Sequence, residues 1–96
     1  MNEAIRDIHR KIKPILEQYM VLRPAIFGSV ARGSATTRSD VDFLIEYQGK
    51  NKSLFDLVNL KLDLEKILHR KVDIVTYRSI YAGLRERILA EQVVIL

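Results

Sequence analysis

The sequence contains no cysteine, which excludes disulfides, thiolate catalysis and cysteine-ligated zinc and leaves the redox compartment unreadable from that residue. It also lacks any apolar run near the ~20 residues that a membrane-spanning helix needs. The opening stretch MNEAIRDIHRK carries charges where a signal peptide has its apolar core, so no membrane association and a cytoplasmic location are expected. No repeat, low-complexity tract or interdomain linker is visible.

What is present is the composition of an ordinary soluble globular protein, with 48% hydrophobic and 29% charged residues. That is enough apolar surface to fold. Residues 1–96 are expected to form one domain, with a radius of gyration of roughly 12 to 13 Å. Sixteen Lys plus Arg against twelve Asp plus Glu leave a net charge of +4. This modest excess favours anionic partners such as nucleotides or RNA without choosing among them.

Along residues 2–19, Ile5, Ile8, Ile12, Ile15, Leu16 and Tyr19 recur at helical spacing, which predicts one buried helix face. Asn2 suits the N-cap, and Pro14 predicts a kink or break. Arg6, Arg10, Lys11 and Lys13 flank the stripe as a solvated face or, alternatively, as a contact for RNA or a partner protein. Val21–Phe27 reads as a strand, with Pro24 best suited to its start or to an edge position. Residues 29–32 suit a short helix and 33–39 a polar loop. Val41–Tyr47 alternates, with Asp42, Leu44 and Glu46 on one face and Val41, Phe43, Ile45 and Tyr47 on the other, as a central strand does.

Residues 49–52 form a turn signal, after which Ser53 and Asp56 open a second helix. Its Leu54, Leu57, Val58, Leu62, Leu64, Ile67 and Leu68 predict that most of that helix is buried, with His69 and Arg70 at its negative end. Val72–Thr76 is a third strand, apolar apart from Asp73. Ser79 suits the cap of a last helix holding Ile80, Leu84, Ile88 and Leu89. The tail 93–96 is too apolar to hang free, so it adds a short strand or docks on a partner. Strands separated by helices give a mixed α/β (α+β) chain: a small mixed β-sheet with helices packed on it.

The chemistry concentrates in residues 26–46, IFGSVARGSATTRSDVDFLIE. Asp40 and Asp42, two apart at the head of a strand, point the same way about 7 Å apart. Like charges so placed raise each other's pKa. A divalent metal resolves the conflict, and Mg²⁺ takes carboxylate oxygens together with phosphate oxygens of a substrate. The Gly28-Ser29 turn supplies the complement, because a residue without a side chain lets backbone N–H groups approach an anion. Asp73 on the third strand completes a candidate triad suited to two-metal phosphoryl or nucleotidyl transfer. For single acids the structural alternatives are a turn or strand cap at Asp40 and a salt bridge from Asp73 to Lys71 or Arg70. Ser39 reads as a loop hydrogen-bonder, His9 and His69 as surface or helix-end residues, and Tyr77 and Tyr81 as packing residues or base-stacking platforms.

Gly28-Ser29, ten residues, Asp40-Val41-Asp42 and then Val72-Asp73-Ile74 resemble the pattern of the polymerase-beta-like nucleotidyltransferase superfamily. The string FGSVARGSATTRSDVDFLI is most similar to its minimal nucleotidyltransferases, small proteins often encoded beside a HEPN-domain protein. The resemblance implies the polymerase-beta-like fold, ATP or another nucleotide triphosphate bound through Mg²⁺, two ions being expected, and transfer of a nucleoside monophosphate. In toxin-antitoxin pairs the implied acceptor is a tyrosine of the HEPN ribonuclease toxin, which makes this chain the antitoxin.

By position, the resemblance assigns Gly28 and Ser29 to the triphosphate and Asp40, Asp42 and Asp73 to metal binding and catalysis. Arg32 and Gly33 match a short ARG segment, with Arg32 contacting phosphate or tying down the loop. Larger members of the superfamily carry extra domains for the acceptor. Here another protein, or self-association, is expected to complete the cleft, with the last helix and the tail as candidate surfaces. Neutralisation by binding alone, or transfer to a small molecule or RNA, are the alternatives, and direct nucleic-acid binding is the less favoured reading.

Overall fold

In a computed structural model, which describes residues 3–36, 38–47 and 53–95, helix α1 (Glu3–Gln18) buries Ile5, Ile8, Ile12 and Leu16 along one stripe. The expected N-cap Asn2 and the turn at 49–52 lie outside the described residues. The helix runs through Pro14 without the break that its missing N–H predicts. Pro14 is exposed, while Ile12 and Leu16 on either side of it are buried. Burial of those two side chains, about 1.5–3 kcal/mol each, outweighs the lost helical bond.

Strand β1 (Val21–Phe27) leads directly into the short helix α2 (Gly28–Arg32). Strand β2 (Val41–Tyr47) follows, then helix α3 (Leu54–Leu68) and strand β3 (Val72–Thr76). A 3-10 turn, Tyr77–Ser79, precedes helix α4 (Ala82–Glu91) and the short strand β4 (Val93–Val94). The strands lie in the order β3-β2-β1-β4. β1 runs antiparallel to β2 and β4, whereas β2 and β3 are parallel, with α3 as their crossover. This is the small mixed α+β sheet that the chain order predicts.

Further local expectations need correction. Pro24 is neither at the start nor on an edge, because β1 lies between β2 and β4. It sits where the β1–β2 register shifts between Leu22 and Ala25, just after Arg23 with φ of 49°. A bulge removes the absent N–H from the ladder, and the Pro24 carbonyl still accepts the Ile95 N–H at 2.8 Å. Ser79 does not cap α4. It ends the 3-10 turn, its hydroxyl 2.7 Å from that of Thr76, because Ile80 is extended and the N-cap of α4 falls on Tyr81. That path lets Ile80 bury itself.

α3 is not mostly buried. Leu60, Leu64 and Leu68 are covered, yet Leu54 is 74% and Phe55 80% exposed, and Val58, Leu62 and Ile67 are also exposed. A helix resting on one sheet face covers one stripe, and its apolar residues extend beyond that stripe. The capping box forms as expected, with Asp56 N–H donating to the Ser53 hydroxyl and Ser53 N–H to the Asp56 carboxylate. Arg70 leaves the helix end for the site loop, and His69 takes the C-cap with its N–H on the Glu65 carbonyl.

The two faces of the sheet carry different layers. On one, α1 and α3 pack with Val30 and Ile95 over Ile26, Val41, Phe43, Ile45 and Val72. On the other, Ala25 and Leu44 meet Tyr77 and Ile80, with Phe27, Val75, Ile88 and Leu89 partly buried around them. The radius of gyration is 12.6 Å. Among the described residues no helix is long and apolar enough to cross a membrane.

Candidate functional site

The site forms where β1 ends and β2 and β3 begin. Phe27 is the register partner of Asp42 across the antiparallel pair, and Asp42 is the register partner of Asp73 across the parallel pair. Alternation sends Val41 and Phe43 into the larger core and Asp42 to the opposite face. By the same parity Val72 is buried and Asp73 exposed. The two acids therefore stand at one level on neighbouring strands, and Asp40 joins them from the residue before β2.

Gly28 is fixed by this arrangement. It adopts φ of 74°, and a Cβ placed on it would lie 2.1 Å from Asp42 Oδ2. Only glycine permits both the left-handed backbone and the close approach of a carboxylate. The Asp42 carboxyl is pushed up from its ordinary value, first by desolvation and then by the charges of Asp73 and Asp40. Arg32 pulls it back and Glu91 pushes it up further. Its surroundings thus favour either a proton or a cation at this carboxylate.

Two residues beyond the sequence-derived set belong to the site. Glu91, the last residue of α4, sends Oε1 to the Gly28 N–H (2.7 Å) and to Arg32 Nη1 (2.9 Å). Its only sequence signal is an acid at the C-terminal end of a helix, where the negative dipole disfavours it. Arg70 clamps the loop ahead of Asp40: Nε donates to the Ser39 carbonyl (3.0 Å), and Nη2 to the carbonyls of Ser39 (2.8 Å) and Thr36 (3.1 Å). Neither Arg70 nor Lys71 forms an ion pair with Asp73 among the described residues. Ser39 acts as a loop hydrogen-bonder, its hydroxyl accepting the Thr36 N–H at 2.9 Å.

Gly28, Ser29, Arg32 and Asp42 line one cleft of about 350 Å³, closed on the far side by Leu84, Arg87, Ile88 and Glu91 of α4. Asp40 and Asp73 are exposed at its border rather than in its wall. Gly33 stands apart. With φ of 78° it closes α2, its N–H donating to the carbonyls of Ser29 and Val30. Tyr77 takes the packing role, buried with its hydroxyl donating to the Arg23 carbonyl at 2.9 Å. Tyr81 is exposed.

Among the described residues, no three His, Asp or Glu side chains already converge tightly enough to hold a metal ion. The donor set nevertheless fits one of a particular kind. Three carboxylates, two of which push up the carboxyl of the third, Asp42, with oxygen the only donor atom, suit a hard divalent cation such as Mg²⁺. Asp40 and Asp73 are exposed, one on the residue before β2 and the other in register with Asp42 on β3.

This site and fold define a nucleotide-handling transferase, and comparison with known proteins agrees. Residues 10–96 match the family model described as Polymerase beta, Nucleotidyltransferase, and the chain belongs to that family. A Methanocaldococcus jannaschii protein named as a protein adenylyltransferase is 50% identical over 92 residues, 96% of this chain and 98% of that protein. The protein adenylyltransferase MntA of Thermococcus cleftensis is 34% identical over 91 residues, 95% of this chain and 89% of MntA.

Among solved structures, one described as a minimal nucleotidyltransferase aligns with a TM-score of 0.80 at 36% identity, covering 95% of this chain and 92% of that one. A complex described as a tri-AMPylated Shewanella oneidensis HEPN toxin with its MNT antitoxin aligns with a TM-score of 0.72. It shares 18% identity, covering 95% of this chain and 71% of that one, and shows the fold alone.

Proposed function

We propose that this chain transfers AMP from ATP to a protein hydroxyl, a tyrosine of a HEPN-domain ribonuclease toxin, and so acts as the antitoxin of that toxin. The observation that carries the reading is the meeting of Asp42, flanked by Asp73 and Asp40, with the Gly28 N–H and Arg32 in one cleft. The names of its relatives as protein adenylyltransferases support AMP as the group moved. The AMP-modified toxin held by a protein of the same fold supports the acceptor.

Asp40, Asp42 and Asp73 are the residues to hold Mg²⁺, which when bound neutralises phosphate charge and aligns the attacking and leaving oxygens. The Gly28 N–H and Arg32 bind phosphate oxygens of the donor through charge-assisted hydrogen bonds, with Ser29 beside them. Asp73, exposed on the edge strand β3, takes the proton of the acceptor hydroxyl. That oxygen bonds to the α-phosphorus as the bond to the bridging oxygen of the β-phosphate breaks. Pyrophosphate leaves with the electron pair.

Incubation with labelled ATP and Mg²⁺, with and without the product of the neighbouring gene as candidate partner, tests the reading. Label is expected in the partner alone and is lost in the Asp40→Ala plus Asp42→Ala variant. Label in neither protein counts against it. The exposed Leu54, Phe55, Val58 and Leu62 of α3 favour a second reading, neutralisation by binding alone. That reading prevails if the same double variant, at equal expression, still protects cells from the toxin.

A further inference from the structure

The seat that a donor phosphate needs is filled from within the chain. Glu91 Oε1 accepts hydrogen bonds from the Gly28 N–H at 2.7 Å and from Arg32 Nη1 at 2.9 Å. These are two of the donors that the cleft offers to an anion from the β1–α2 side, where Ser29 also lines it. A carboxylate oxygen and a phosphate oxygen accept charge-assisted bonds at the same distances, so one excludes the other. The Glu91 side chain is only 16% exposed and lies close enough to Asp42 to push its carboxyl up. Four carboxylates thus share the site with Arg32 and Arg87. Adding a polyphosphate without removing Glu91 would stack further negative charge against them.

The mounting of Glu91 suits exchange. α4 has no buried residue, and it meets the smaller core only through the partly covered Ile88 and Leu89. The residue after Glu91 is anchored separately, with the Gln92 N–H on the Ile88 carbonyl and its Oε1 on the Tyr77 hydroxyl. Rotation of the Glu91 side chain therefore vacates the seat without unpacking the sheet. On the far wall Arg87, one helical turn before Glu91, lines the same cleft. It offers a second guanidinium once the anion has changed.

We propose that Glu91 is a displaceable internal anion: it occupies the phosphate seat until a polyphosphate replaces it on the Gly28 N–H and Arg32. The proposal deepens the nucleotide-binding part of the function above and rests on the same seat. Its test, however, needs no transfer reaction. Calorimetric binding of inorganic tripolyphosphate without metal is compared in the wild type, Glu91→Gln and Glu91→Ala. Glu91→Gln preserves shape and removes the charge, so it remains informative if Glu91→Ala unfolds. Thermal denaturation confirms that each variant measured is folded.

Tripolyphosphate binding is expected to tighten about tenfold in the variants, the range in which a charge-assisted contact acts. Mg²⁺ binding measured alone is expected to be unchanged in Glu91→Gln. Tripolyphosphate binding that is unchanged or weaker overturns the proposal, as does loss of Mg²⁺ binding, which would assign Glu91 to the ion. Tightening without any detectable adenylylation leaves the displaceable anion standing and removes the transferase reading. Adenylylation without tightening does the reverse.

Discussion

The two faces of the sheet differ in what they do with the same strand. Against α1 and α3, β2 contributes Val41, Phe43 and Ile45 to a dry layer in which each of them is fully buried. On the reverse, the intervening Asp42 and Leu44 meet a thinner cover, a 3-10 turn and a helix with no buried residue. The difference separates stability from chemistry across one strand's thickness. The packed face holds the backbone of β2 and β3 still, so that the acids keep their positions despite mutual repulsion. The open face leaves room for ligands and for motion of Glu91.

The sharpest way to break that comparison is to empty the packed face. Phe43→Ala is expected to cost about 3–5 kcal/mol in urea denaturation, a large share of the ~5–15 kcal/mol typical of a domain. Ile88→Ala on the other face should cost no more than about 1 kcal/mol. Equal costs would mean that both faces carry the fold.

Gly28→Ala probes the seam between the faces. The positive φ alone costs about 1–2 kcal/mol for a residue with a Cβ, and the new methyl must displace the Asp42 carboxylate. Adenylylation should fall at least about 100-fold, as misplacement of a reacting group by an ångström does. A variant that keeps full rate would show that the close approach is incidental.

Asp42→Asn gives the smallest effect on stability, and one opposite in sign to its effect on activity. Because the Asp42 carboxyl is raised above its ordinary 3.8, its folded form prefers the proton. The stability it lends is complete below that ordinary value and is lost as pH rises through the raised one. The asparagine variant should therefore melt above the wild type at pH 7, with the gap closing as the solution is acidified below the usual aspartate range. Its transfer activity should be abolished. A melting temperature lower than wild type at neutral pH would mean that the open face also stabilises.

Much of this was legible in the sequence because local rules and the fold agree. Val21–Phe27, Val41–Tyr47 and Val72–Thr76 are strands at those bounds, since β-branched and apolar alternation leaves few other options. The Ser53–Asp56 capping box is likewise a local device. Misreadings arose where tertiary packing overrides a local rule. Pro14 does not break α1, although a kink or a break is expected there, because its neighbours are buried, and Pro24 is tolerated inside the sheet by a bulge that no propensity encodes. The apolar pattern of α3 predicts burial, but spacing alone does not say how many faces of a helix find a partner.

The acids and glycine of the site could be assembled from spacing. Glu91 and Arg70 could not, because each reaches its partners only through the fold: Glu91 lies 63 residues from Gly28 and Arg70 lies 31 from Ser39.

The parallel register of β2 and β3 sets a parity rule on variation. Asp42 pairs with Asp73 and Phe43 with Ile74, so even positions in β2 and odd positions in β3 face the cleft. A slip of β3 by one residue against β2 would exchange Asp73 for a core neighbour and press a carboxylate into the dry layer. The buried Val72 and the partly buried Ile74 oppose that slip, so the core residues of β3, as much as the identity of the acids, keep the third carboxylate beside the first pair.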